Sequence, residues 1–194
     1  LILMSDTGGG HRSSAQALAH ALERLYPTKI EYEILDIWTE YAVWPYKKFV
    51  PWYAFVAKHP LMWRALWSYA QFPITRRLQE FSTRVQCYDN FEKAFRERAP
   101  LDAVVSVHPL CQTLPLRVLR KLDAEEHRPE TPFVTVVTDL ASAHPTWFHK
   151  DVDACFVPSD SVAKIALKLG LEKNKIKQHG LPLRHAFWEH EKRP

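Results

Sequence analysis

Short apolar runs recur along this chain, and helical patterns separate them. Leu1–Met4, Ile30–Ile37, Leu101–Val107, Phe133–Thr138 and Asp153–Val157 predict strands. Leu101–Val107 and Phe133–Thr138 are rich in β-branched residues, as in parallel strands covered on both faces. Arg12–Leu25 predicts a helix whose apolar face is Ala15, Leu18, Ala19, Leu22 and Leu25. Leu78–Arg98 and Pro115–Lys121 supply further crossovers, and Ser159–Leu169 adds another, with Ser159 placed to cap it and Gly170 to end it. This alternation predicts an α/β protein with an open parallel sheet flanked by helices, whose ligands gather at the carboxyl ends of the strands.

One segment departs from the alternation. Residues 41–79 hold 11 of the chain's 24 aromatic residues and six basic ones, with no aspartate or glutamate. The whole chain carries a net charge of +4. Its basic character therefore belongs to this segment alone. Tryptophan and tyrosine favour a bilayer interface, and lysine and arginine favour anionic headgroups. Pro45, Pro51, Pro60 and Pro73 predict short helices and loops in the membrane plane rather than one rod. The alternatives are a buried aromatic subdomain with solvated lysines, or a nucleic-acid groove. The second lacks any accompanying recognition motif, so nucleic acid is not expected as a partner.

The composition, 46% hydrophobic and 25% charged over 194 residues, suits a folded domain with a real core. No run of apolar residues is long enough to span a bilayer. Cys87, Cys111 and Cys155 are too scattered for a disulfide framework or a zinc pattern. The chain opens inside a strand without an initiator methionine and so reads as a segment of a longer protein.

The candidate chemistry lies at the predicted strand ends. Gly8, Gly9 and Gly10 follow the first strand, where a backbone without Cβ atoms can approach a ligand at a helix N-terminus. His11 falls in the first helical turn, where the dipole disfavours an imidazolium and leaves a neutral ring able to act as a general base. It can equally cap the helix or contact an anion. The loop lacks the lysine of a phosphate loop and the spacing of the dinucleotide fingerprint. Asp139 follows another strand, Phe133–Thr138, on the same edge, placed either to orient His11 or to satisfy loop amides. His108 ends the strand between as a second candidate or as pocket floor. The spacing of His144 and His149 does not suit a metal, and Trp147 and Phe148 between them read as apolar surface at the active edge or as core.

Taken together, Asp6-Thr7-Gly8-Gly9-Gly10-His11-Arg12, Asp36-Ile37-Trp38-Thr39, Ser106-Val107-His108-Pro109-Leu110, Pro115-Leu116-Arg117-Val118-Leu119-Arg120, Thr138-Asp139-Leu140 and His144-Pro145-Thr146-Trp147-Phe148-His149-Lys150 resemble the monogalactosyldiacylglycerol synthase family. The resemblance covers nearly the whole chain. It implies the N-terminal, Rossmann-like half of a two-domain GT-B inverting glycosyltransferase, with residues 1–182 as the acceptor domain, 183–194 as the start of a linker, and a C-terminal donor domain beyond them. It also implies transfer of galactose from UDP-galactose to 1,2-diacylglycerol without a tightly bound metal or cofactor, at a chloroplast envelope surface. The implied base is His11, and the implied acceptor or anionic-lipid contacts are Trp44, Pro45, Arg117 and Trp147. Phosphatidylglycerol or phosphatidic acid is the implied activator. The reading from another class is a non-catalytic peripheral module that binds anionic membrane lipids.

Overall fold

The computed structural model describes residues 1–187, so that part of the predicted linker, residues 188–194, lies outside the described residues. Six strands, β1 (Ile2–Met4), β2 (Ile34–Asp36), β3 (Val104–Ser106), β4 (Phe133–Val136), β5 (Ala154–Val157) and β6 (Ile176–Gln178), form one parallel sheet in the order β2-β1-β3-β4-β5-β6. Seven α-helices flank it among the described residues: α1 (Gly9–Leu25), α2 (Ile37–Tyr41), α3 (Phe49–Val56), α4 (Pro60–Gln71), α5 (Pro73–Arg96), α6 (Thr113–Glu125) and α7 (Asp160–Lys168). This is the predicted open α/β, Rossmann-like arrangement.

Alternation along each strand explains the layers. Ile2 and Met4 of β1 face Ala15 and Ala19 of α1, together with Val107 and Val136. Leu3 between them faces the larger core, which Phe91 and Phe95 of α5 and Leu116, Leu119 and Leu122 of α6 fill with Phe133 and Cys155. The two alanines give α1 a small-residue seam against the sheet. Phe91 is fully buried, and truncating it to alanine costs about 3–5 kcal/mol.

Several predicted boundaries move, each for a local reason. Gly8 takes φ 86°, a turn that residues with a Cβ rarely make, so the chain enters α1 at Gly9 rather than Arg12. Leu25, expected on the apolar face, is 69% exposed at the helix end. The second strand is shorter than the predicted Ile30–Ile37, because the Asp36 carboxylate accepts the Thr39 N–H at 3.0 Å and starts α2. Helix α5 begins at Pro73, where a missing N–H costs nothing in a first turn. Ser159 caps α7 and Gly170 follows it at φ 88°. Strand β6 was not among the predicted strands, since its edge position leaves Ile176 as its only apolar residue.

The chain leaves β1 toward β2 and returns to β3 on the other side, so the order reverses between β1 and β3. The crevice at their carboxyl ends is where an open α/β sheet receives ligands. Helices α3 and α4 and the start of α5 form the aromatic, basic segment beside it as short pieces. The segment is no buried subdomain: Trp44 is 78% exposed and Leu61 80%. No helix among the described residues is long and apolar enough to cross a membrane.

Candidate active site

Three strand ends build the site. After β1, the backbone N–H of Asp6 donates to Asp36 Oδ2 at 3.1 Å, and Arg12 grips the Asp6 carboxylate through two hydrogen bonds. These contacts hold the turn that carries Thr7, Gly8, Gly9 and Gly10 into α1. After β3, Gln112 and Ser106 both donate to the His108 carbonyl at 3.2 Å. Gln112 also donates to Ser106 Oγ and accepts from Thr135 Oγ1. A buried network that spends every group of Gln112 fixes the His108 turn. After β4 come Thr138 and Asp139.

His11 stands where these ends meet. Its Nδ1 lies 2.9 Å from the Val107 carbonyl, which can only accept, so Nδ1 carries the proton. Thr138 Oγ1 shares that proton at 3.0 Å. Nε2 is left with its lone pair and no partner among the described residues. Burial lowers the His11 pKa below the ordinary 6.5, while the Val107 carbonyl and the charge of Asp139 oppose that shift. Neutral at pH 7, with one nitrogen anchored and the other open, the ring is prepared to take a proton.

Asp139 makes no hydrogen bond to His11 in this structure. The expected orienting contact is made instead by Val107 and Thr138, because the Asp139 carboxylate is taken by the indole N–H of Trp147 at 2.7 Å. Asp139 reaches His11 through charge alone. Trp147 in turn is fully buried, its ring 6.0 Å from that of His11. It is therefore core behind the site, the second of the two places the sequence left open for it, and it has no exposed face to offer a lipid. His108 is 2% exposed and packs edge-on against His11 with ring centroids 4.4 Å apart.

A cavity of about 370 Å³ opens from this polar end. Thr7, His11, His108 and Asp139 line one side. Trp38, Phe49, Tyr53, Trp63, Leu66 and Trp67 supply apolar and aromatic walls, most of them from the basic segment. His144 ties the two halves, its ring 3.1 Å from the Ala70 carbonyl at the end of α4 and 5.7 Å from the Trp67 ring. The arrangement suits a ligand with one polar group near His11 and a long apolar remainder.

A family model described as "Monogalactosyldiacylglycerol (MGDG) synthase" matches residues 11–183. A probable monogalactosyldiacylglycerol synthase of Nicotiana tabacum is 42% identical over 188 residues, which is 96% of this chain and 34% of that protein. The monogalactosyldiacylglycerol synthase of Spinacia oleracea is 41% identical, over 96% of this chain and 35% of its own length. Monogalactosyldiacylglycerol synthase 1 of Arabidopsis thaliana is 40% identical, over 96% and 34%. The chain belongs to the monogalactosyldiacylglycerol synthase family. It spans about a third of the length of these curated relatives.

The other positions singled out by the family motifs lie apart from the cavity. Trp44 and Pro45 are exposed and line no part of it. Arg117 lines a second, smaller hollow of about 160 Å³ with Arg77 and Arg84. Glu80, Thr83, Thr113 and Leu114 border both hollows, so the arginines flank the apolar cavity. Sequence reasoning missed Thr7, Thr138 and His144 as site groups. A polar residue at the end of a predicted strand, or shortly after it, was the available signal for Thr138 and Thr7.

Proposed function

We infer that the full-length protein is an inverting glycosyltransferase of galactolipid synthesis, and that this segment forms its acceptor side. In this reading the free hydroxyl of 1,2-diacylglycerol attacks the anomeric carbon of UDP-galactose from the face opposite the phosphate. A new carbon–oxygen bond forms, the bond to UDP breaks with its electron pair leaving on the diphosphate, and His11 Nε2 takes the hydroxyl proton. The product is a β-galactoside. The observation that carries the reading is the His11 geometry: Nδ1–H is spent on the Val107 carbonyl, while the ring lines a cavity with aromatic walls.

The curated relatives bear names of chloroplastic enzymes. A peripheral place on the chloroplast envelope fits those names and the exposed aromatic and basic segment. Phosphatidylglycerol or phosphatidic acid is the proposed activator, drawn to the arginines beside the cavity. A donor domain of the GT-B kind, carried in the rest of the protein, would bind the nucleotide sugar, and the segment by itself is proposed to be inactive. A module that only binds lipid gives no reason for an imidazole with one nitrogen anchored and the other open. The direct test supplies the full-length protein with radiolabelled UDP-galactose or UDP-glucose and diacylglycerol. Label entering a monoglycosyl lipid from UDP-galactose is expected; no glycolipid from either donor sinks the reading.

A further inference from the structure

The turn after β1 holds two hydroxyls whose hydrogens have no destination among the described residues: Ser5, which is fully buried and lines no part of the cavity, and Thr7, which lines it. His108 Nδ1 accepts the backbone N–H of Leu110 at 3.1 Å. That nitrogen has no proton of its own, so the single proton of the neutral ring sits on Nε2. Nε2 lies 2.5 Å from Thr7 Oγ1 and is the donor in that contact. The Thr7 hydroxyl oxygen therefore receives, and its own hydrogen points elsewhere. No other group among the described residues bonds to Thr7 Oγ1. Thr7 is 6% exposed and lines the same cavity as His11. A nearly buried hydroxyl donor facing an apolar space is costly until something accepts from it.

Three nearby ring N–H donors are already used. His11 Nδ1–H goes to Val107, the Trp147 N–H to Asp139 and the Trp38 N–H to Leu110. Thr138 also has a hydroxyl beside His11 but does not line the cavity.

We propose that Thr7 is a substrate-binding residue whose hydroxyl donates to an ester carbonyl oxygen of the acceptor lipid, and that His108 is the positioning residue that aims it. The proposal rests on the diacylglycerol reading of the cavity. The attacking oxygen is a poor partner, because it already gives its proton to His11 and a lone pair to the sugar. A donor on its remaining pair would withdraw density from the nucleophile. An ester carbonyl only accepts, and on diacylglycerol it sits a few bonds from the reacting hydroxyl.

The test pairs a side-chain change with a substrate change in the full-length protein. Short-chain 1,2-diacylglycerol and its 1,2-dialkylglycerol ether analogue, which has no carbonyl, are bound in detergent micelles to wild type, Thr7→Val and Thr7→Ser. Affinity is read by quenching of tryptophan fluorescence, and sugar transfer is measured in parallel. Wild type is expected to favour the ester about three- to tenfold. Thr7→Val should abolish that preference with ether affinity held within about twofold, and Thr7→Ser should keep most of it. Equal loss for both lipids, or no loss for either, overturns the proposal. So does an equal affinity of wild type for ester and ether, which needs no variant to fold. If the ester preference depends on Thr7 while no sugar is transferred, the glycosyltransferase reading falls and the lipid contact stands. Transfer without a Thr7-dependent ester preference removes the lipid contact alone.

Discussion

The indole N–H of Trp147 donates to the Asp139 carboxylate at 2.7 Å, so the group whose charge reaches His11 is held by a ring with no exposure. A fixed carboxylate can tune the histidine without touching it. Asp139→Asn keeps an oxygen for Trp147 and removes the charge that raises the His11 pKa. The acid limb of kcat/KM should then move to lower pH, as measured by a pH profile of the full-length enzyme. An unmoved limb contradicts the electrostatic coupling.

Removing the proposed base tests the chemistry itself. His11→Ala should cut turnover by about 10²–10⁴-fold while vesicle binding survives. Unchanged turnover removes His11 from the mechanism.

The wild-type pH profile has a defined sign. His11 acts when neutral and burial lowers its pKa, so activity should be flat above the ordinary value of 6.5 and fall only as pH drops through a lower midpoint. Burial also lowers the pKa of His108, His144 and His149. In each case the unfolded chain binds protons at a higher pH than the folded one. The stability they contribute is complete above about pH 6.5 and is lost as pH falls through their depressed values. Thermal denaturation should show a lower Tm at pH 5 than at pH 7.5; a constant Tm would speak against neutral buried rings.

His144 joins the loop after β4 to the end of α4. Its Nδ1 accepts the Thr146 N–H at 3.3 Å, which leaves Nε2–H for the Ala70 carbonyl. His144→Phe retains a ring near Trp67 and removes that bond. Amides of α4 should exchange about three- to tenfold faster in deuterium exchange, with those of α6 unchanged. Uniform acceleration across both helices would mean general destabilisation instead of a local latch.

Lys47, Lys48 and Lys58 are exposed on the segment that walls the cavity. Reversing the first two to glutamate should weaken binding to anionic vesicles by roughly tenfold or more, and the effect should shrink in high salt. Vesicle sedimentation at two salt concentrations measures this. Equal binding of wild type to neutral and anionic vesicles would count against electrostatic docking.

Local features of the sequence were enough for five of the six strands, the main crossover helices and the meeting of Gly8 with a helix that presents His11. Alternation and helical spacing record which side of an element is buried, and a glycine run records where the backbone must turn. The acid-free aromatic stretch was legible for the same reason, since composition is local. The tertiary structure alone decided the partners. His11 meets Val107 across 96 positions and Thr138 across 127, and Thr7 meets His108 across 101. A hydrogen bond to a main-chain carbonyl carries no residue-type signature, and a contact so distant in the chain leaves no period. That is why the sequence left Trp147 open between surface and core, why it left Asp139 open between orienting His11 and satisfying loop amides, and why Thr7 could not be found until the proton on His108 had been placed.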